Sequence, residues 1–214
     1  ACLDAGDAAR ALSLLSDCDP MSPRTMLDTV RARHMAGDEA ETMVAMRVYL
    51  DSEWAGSDEY LEAVRMLIGF DMDHQAAEIL AKYMECCGKD ADSLILKSIL
   101  SERAGDCMSA LMYATEASVC DKASIPAKVQ IAHVYMAMDD TVKAEKECAR
   151  ILAEAPENPD ALRLMVMTKD EAGDPDSVID GCRRLLDIDP TDVGALVRMC
   201  RAYILKGDVL EASD

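Results

Sequence analysis

The chain has 214 residues and a net charge of −19, from 41 acidic and 22 basic residues, and only 4% of its residues are aromatic. Nucleic-acid binding requires clustered Lys and Arg, and single-strand recognition also uses aromatic stacking, so this composition argues against a nucleic-acid partner. No apolar run is long enough to cross a bilayer, which argues against a membrane-spanning segment within these residues.

Residues of similar type recur every 34 positions along nearly the whole chain. The clearest series is Arg31, Arg65, Ile99, His133, Met167 and Arg201. A fixed period of this size is typical of solenoids, in which each repeat buries its apolar face by stacking on its neighbours. The period divides the chain into a partial repeat 1–22, complete repeats 23–56, 57–90, 91–124, 125–158 and 159–192, and a partial repeat 193–214.

Each repeat is predicted to contain two helices separated by a tight turn. The fifteenth position of the repeat, where the first helix should end, is occupied by Gly37, Asp71, Gly105, Asp139, Gly173 and Gly207. Glycine readily takes the left-handed conformation that ends a helix, and an aspartate after it can cap the next helix. Pro156 and Pro190 should close second helices, and Pro159 and Pro175 suit the first turns of the helices that follow.

The final repeats carry residues that resemble the signature of the tetratricopeptide repeat. They are Leu196, Met199, Cys200, Tyr203, Gly207, Asp208 and Ala212. The resemblance implies an all-α fold, a right-handed α-solenoid of stacked antiparallel helix pairs. It also implies a concave surface, lined by the first helix of each repeat, that binds a peptide or another protein.

The same resemblance implies which side chains line that groove. The predicted partner-binding residues are Leu27, Arg31, Leu61, Arg65, Ile68, Ile95, Ile99, Val129, His133, Met136, Arg163, Met167, Val197 and Arg201. The fifth position of the repeat is apolar in all but one repeat, and the ninth is often basic. The basic residues either select a partner with some negative charge or pair with the nearby acidic residues Asp58, Asp92, Glu102, Asp160 and Asp170.

No set of residues in the sequence indicates catalysis, a metal or a cofactor. The nine cysteines form no Cys-x-x-Cys pair, and no histidine lies at ligand spacing from them. Free cysteines that act as small apolar side chains fit a reducing compartment, which predicts a cytoplasmic location. The serines lack the flanking glycines of a nucleophile elbow, and the three histidines lie in separate repeats.

The sequence therefore favours a non-catalytic protein-interaction scaffold. The alternatives are an assembly element that associates with copies of itself and a regulatory domain of a larger enzyme or sensor. The partial repeats at both ends predict that the chain is a piece of a longer array. We further expect the last first helix to present an incompletely buried face at Leu196, Met199, Cys200 and Tyr203, through which two copies could associate.

Overall fold

The computed structural model describes residues 7–19, 22–52 and 55–207. These residues form twelve helices and no strand. The helices fall into two compact units, Ala1–Gly88 (the N-terminal unit) and Lys89–Asp214 (the C-terminal unit). The expectation that all repeats belong to one array stays a prediction, and the stub 208–214 of the last repeat lies outside the described residues.

The described residues of the N-terminal unit form five helices. They are α1 (Ala8–Leu15), α2 (Pro23–Met35), α3 (Glu39–Leu50), α4 (Ser57–Gly69) and α5 (Asp73–Cys87). Consecutive helices pack as hairpins, α2 against α3 and α4 against α5. The buried side chains Val30, Met46, Tyr49, Val64 and Leu67 form the interior of this unit.

Seven helices lie within the part of the C-terminal unit that the structure describes. They are α6 (Ala91–Arg103), α7 (Cys107–Cys120), α8 (Ile125–Ala137), α9 (Thr141–Glu154), α10 (Pro159–Glu171), α11 (Pro175–Ile188) and α12 (Val193–Lys206). The first helices of successive repeats begin at Pro23, Ser57, Ala91, Ile125, Pro159 and Val193, which are 34 residues apart. The fold is therefore all-α, a solenoid of stacked helical hairpins, as the period predicts.

The turn between the two helices of each repeat has the predicted backbone conformation. All six residues at the fifteenth position have positive φ, including Asp71 at 59° and Asp139 at 61°, which are not glycines. The aspartates that follow cap the next helix, for example Asp38 and Asp174, which accept hydrogen bonds from the amides of Glu41 and Ser177. These local signals explain why the helix ends follow the sequence pattern so closely.

Small side chains lie where the two helices of a hairpin cross. Ala76, Ala110 and Ala144 are completely buried. Gly181 of α11 allows a still closer approach, since a Cβ atom added there would lie 2.4 Å from Cγ2 of Val166 on α10. Close crossings of this kind set the spacing of the hairpins.

Two cysteines occupy equivalent positions in the core of the C-terminal unit. Cys148 and Cys182 are fully buried, and burial raises the pKa of each thiol to about 11. Cys18, Cys86, Cys87 and Cys120 are exposed, and all the cysteines that the structure describes are free. A thiol-specific reagent should therefore modify the exposed group in the folded protein and reach Cys148 and Cys182 only after unfolding.

The raised thiol pKa values also predict a loss of stability in alkali. The folded state holds these protons more tightly than the unfolded state, so their contribution is complete below the ordinary thiol pKa of 9.0 and is lost as pH rises through about 11. Denaturant midpoints measured across this range should fall for the natural chain and fall less for a Cys148→Ala, Cys182→Ala variant. Ala114, fully buried 34 residues before Cys148, shows that alanine fits the position. Equal slopes for the two proteins would contradict the prediction.

Candidate protein-interaction face

The packing of the C-terminal unit distinguishes its first helices from its second helices. Helix α8 packs against both α6 and α10, whereas α7, α9 and α11, all lying within residues that the structure describes, make no comparable contact with one another. Closer packing on one side of a stack curves the stack toward that side. The first helices α6, α8 and α10 therefore pack together along one side of this unit, which is the side that the repeat pattern predicts to be the inner face.

Several predicted groove residues of this unit are buried or partly buried. Ile95 is only 9% exposed, and Val129 and Met136 are partly buried against a cluster of Ala132, Cys148 and Leu164. The predicted groove position is therefore also a stacking position. These side chains contribute to the packing of successive repeats more than to a free surface.

Helix α12 exposes apolar side chains on the side of the helix that carries the predicted groove positions. Val197, Ile204 and Leu205 are 61%, 60% and 66% exposed. Ile204 and Leu205 were not among the predicted site residues, although they occupy the twelfth and thirteenth positions of the repeat, as do Met136 and Ala137 in an earlier repeat. Their positions in the repeat could therefore have identified them from the sequence.

The four residues of α12 that were expected to be incompletely buried differ in exposure. Tyr203 is buried, whereas Leu196 is exposed and Met199 and Cys200 are partly buried.

Ion pairs join α10 and α12, the first helices of the last two repeats. Arg163 contacts Asp192, the N-cap of α12, at 3.1 Å between Nη2 and Oδ2, and it also contacts Asp160 at 3.1 Å. Arg201 lies 3.4 Å from Asp170 of α10, measured between Nη2 and Oδ1. The Ala195 amide and then the Arg163 guanidinium hold the pKa of Asp192 below its usual value. Both arginines thus have acidic neighbours, and the pair of Arg201, at the ninth position, with Asp170 agrees with one of the two interpretations of the basic positions.

The remaining predicted residues of this unit are partly or fully exposed. His133 is exposed, and Ile99 and Met167 are partly exposed. Near them, Gln130 donates a hydrogen bond to Glu102 at 2.6 Å, which joins α8 to α6. The inner face of the C-terminal unit, as the term is used below, comprises Ile99, His133, Arg163, Met167, Val197, Arg201, Ile204 and Leu205.

In the N-terminal unit, too, some predicted groove residues are buried and others are exposed. Leu61 is buried, Leu27 and Ile68 are partly buried, and Arg31 and Arg65 are exposed. Arg31 pairs with Asp28 on its own helix at 3.1 Å. The rings of His34 and Phe70 stack with their centroids 3.8 Å apart, which joins α2 to the end of α4.

The part of the chain that the structure describes contains no cluster of His, Cys, Asp or Glu that could hold a metal ion. No helix in that part is long and apolar enough to span a membrane.

Comparisons with known proteins find similarity of structure but not of sequence. No protein-family model matches the chain, and no curated protein matches its sequence. Among solved structures, a tetratricopeptide repeat protein of Thermus thermophilus aligns with a TM-score of 0.68 and 15% identity, over 86% of this chain and 100% of that one. PilW, a type IV pilus biogenesis factor, aligns with a TM-score of 0.68 and 14% identity, over 89% of each chain.

A third structure, the APC/C hetero-tetramer Cut9-Hcn1, aligns with a TM-score of 0.64 and 14% identity over 94% of this chain. This chain spans only 40% of the chain that it matches there. The helical hairpins, their 34-residue spacing and these alignments define the chain as a helical-repeat solenoid. Its fold is that of the tetratricopeptide repeat, which confirms the resemblance seen in the sequence.

Proposed function

We propose that this chain is a non-catalytic, cytoplasmic protein-interaction scaffold that needs no cofactor. It binds a peptide or a helix of another protein on the inner face of the C-terminal unit. The observation that carries the proposal is the exposure of Val197, Ile204 and Leu205 around Arg201 on α12. Exposed apolar side chains grouped on one face are typical of protein-binding surfaces. The free cysteines support a reducing compartment.

The chemistry of this face suggests a partner with apolar anchors and some negative charge. The apolar side chains of α12 offer contacts for the apolar side of an amphipathic helix or for alternate residues of an extended segment. The Arg201 side chain is 66% exposed, and its contact with Asp170 is an exposed ion pair. Such pairs contribute only about 0–1 kcal/mol, so an incoming carboxylate can compete for the guanidinium.

The structural neighbours support partner binding as a use of this fold. Cut9-Hcn1 is a hetero-tetramer, so a related solenoid takes part in an assembly of different chains. The identity of the partner of the present chain is a separate question, which capture experiments can answer.

The test compares partner capture by the natural chain with capture by an Arg201→Glu, Ile204→Glu variant. Proteins retained from a lysate of the source cells are quantified, and the affinity of each purified candidate partner is then measured by calorimetry. We expect the dissociation constant of the true partner to rise at least about thirtyfold, since a hot-spot residue contributes about 2 kcal/mol or more. Circular dichroism should show unchanged helicity.

Arg150→Glu is the matched control for this test. Arg150 lies on the second helix α9, is 60% exposed and forms a comparable ion pair with Glu147 on its own helix. It therefore undergoes the same charge reversal away from the inner face. A partner that binds the inner-face variant and the natural chain equally well would refute the proposed site. Arg65→Glu tests the N-terminal unit separately.

A further inference from the structure

Helix α7 buries its alanines and exposes two methionines and a valine. Ala110, Ala114 and Ala117 are completely buried, whereas Met108, Met112 and Val119 are 69%, 54% and 68% exposed. Buried small side chains suit the close crossing of two helices, so they do not by themselves distinguish α7. Exposed large apolar side chains grouped on one helix are typical of interaction surfaces.

The other repeats provide an internal comparison for these positions. The residues 68 positions after Met108, Met112 and Val119 are Asp176, Asp180 and Asp187 of α11, all exposed. The residues 34 positions before them are His74, Glu78 and Glu85 of α5, which are also exposed. The residues 34 positions after them are Val142, Lys146 and Ala153 of α9, of which Val142 is 78% exposed. Charged or polar residues are therefore the majority at these positions of α5, α9 and α11, and α7 differs from these helices in having a large apolar residue at all three.

The exposed residues of α7 have the spacing of a helix-packing seam. Met108, Met112, Thr115 and Val119, all exposed, are separated by 4, 3 and 4 residues. This is the spacing by which one helix packs along another. The order 4, 3, 4 is also the same when read in reverse, so an antiparallel copy of the helix presents a matching seam. This set of four residues is called the α7 seam below.

The charge of α7 also favours a second copy as the occupant. The chain carries a net charge of −19, which opposes self-association over most of its surface. Helix α7 has a single charged residue, Glu116, and Lys89 of the same chain lies 3.3 Å from it. Helix α11, by contrast, contains Asp176, Asp180, Arg183, Arg184 and Asp187. The surface of α7 therefore meets little repulsion from an identical surface.

We propose that the α7 seam is a homodimer contact in which two copies pair antiparallel about a two-fold axis. In this register Met108 lies opposite the partner's Val119, and Met112 lies opposite the partner's Thr115. The contact is isologous, since the same surface is used by both chains, and it closes at two copies. This inference goes beyond the proposed scaffold function and uses the second helices rather than the inner face.

The dimensions of the seam predict a weak dimer. A helix of 14 residues is about 21 Å long and about 10 Å wide, which is far less than the roughly 800 Å² per partner of a stable interface. The association should therefore become visible only at high protein concentration. It should also strengthen as salt is added, because salt screens the repulsion between two acidic chains.

Sedimentation equilibrium of the purified chain, at rising protein concentration and at low and high salt, tests this proposal. We expect a monomer–dimer equilibrium for the natural chain and a dissociation constant at least about tenfold higher for Met112→Glu. The fold should tolerate this change, because the equivalent positions of other repeats hold Glu78, Lys146 and Asp180. Ile204→Glu is the matched control, since Ile204 is an equally exposed apolar residue on α12.

A mixing experiment tests the two-fold geometry itself. Met112→Glu and Met112→Lys chains should each be monomeric, and an equimolar mixture should recover dimer, since the two 112 positions lie about one helical turn apart across the axis. A natural chain that stays monomeric at every concentration, or an association lost with Ile204→Glu and kept with Met112→Glu, would overturn the proposal. Failure of the mixture to recover dimer would overturn the antiparallel register. None of these results alters the partner-capture comparison, so the two proposals can fail separately.

Discussion

Replacing Leu164 with alanine should lower the free energy of unfolding of the C-terminal unit by about 2–5 kcal/mol. Leu164 is 1% exposed and packs with Ala132 and Cys148 at the junction of α8, α9 and α10. The substitution removes apolar contacts with the two other helices, α8 and α9, and leaves a cavity that neighbouring helices fill only in part. In a repeat protein the loss also weakens the interface between neighbouring repeats.

Leu205→Ala is the control for this prediction, since it makes the same chemical change on a first helix at a side chain that is 66% exposed. Its effect should stay within about 0.5 kcal/mol. Urea titrations followed by circular dichroism would measure both variants. If both substitutions lower the free energy of unfolding by the same amount, the described packing of Leu164 is wrong.

Replacing Gly181 with alanine should also destabilise the C-terminal unit, although alanine normally stabilises a helix. A Cβ atom at this position would lie 2.4 Å from Cγ2 of Val166, a 2% exposed side chain on the facing helix. Valine has one strongly preferred rotamer in a helix, so it cannot easily turn away. Overpacking of this kind costs about 1–3 kcal/mol, which exceeds the gain of about 1 kcal/mol in helix propensity.

Two further variants separate overpacking from a general effect of alanine. Gly69 is also helical, and a Cβ atom there would have no neighbour within 4 Å, so Gly69→Ala should stabilise the protein or leave it unchanged. In a Val166→Ala background the clash disappears, and Gly181→Ala should then become stabilising. A double-mutant cycle on positions 166 and 181 should therefore give a coupling energy of about 0.5–3 kcal/mol. Simple additivity would exclude the proposed contact.

The repeat pattern predicts which positions of each first helix face the groove, notably the fifth and the ninth, and that assignment stays a prediction. Sequence alone did not reveal that Ile95 is nearly buried while Val197 is exposed, because both are apolar residues at the same position of the repeat. The difference depends on whether another first helix packs against that face.

The sequence by itself determined the local structure of this protein. The helix ends follow from residues that act within one turn, such as the positive φ of Gly105 and Asp139 and the capping carboxylate of Asp174. The period of 34 residues then specifies which faces repeat. Only the tertiary structure decided which equivalent residues are buried, paired or free. The contact of Arg201 with Asp170, the approach of Gly181 to Val166 and the exposed α7 seam arise between helices. Such contacts depend on distances across the stack, which a pattern along the chain does not encode.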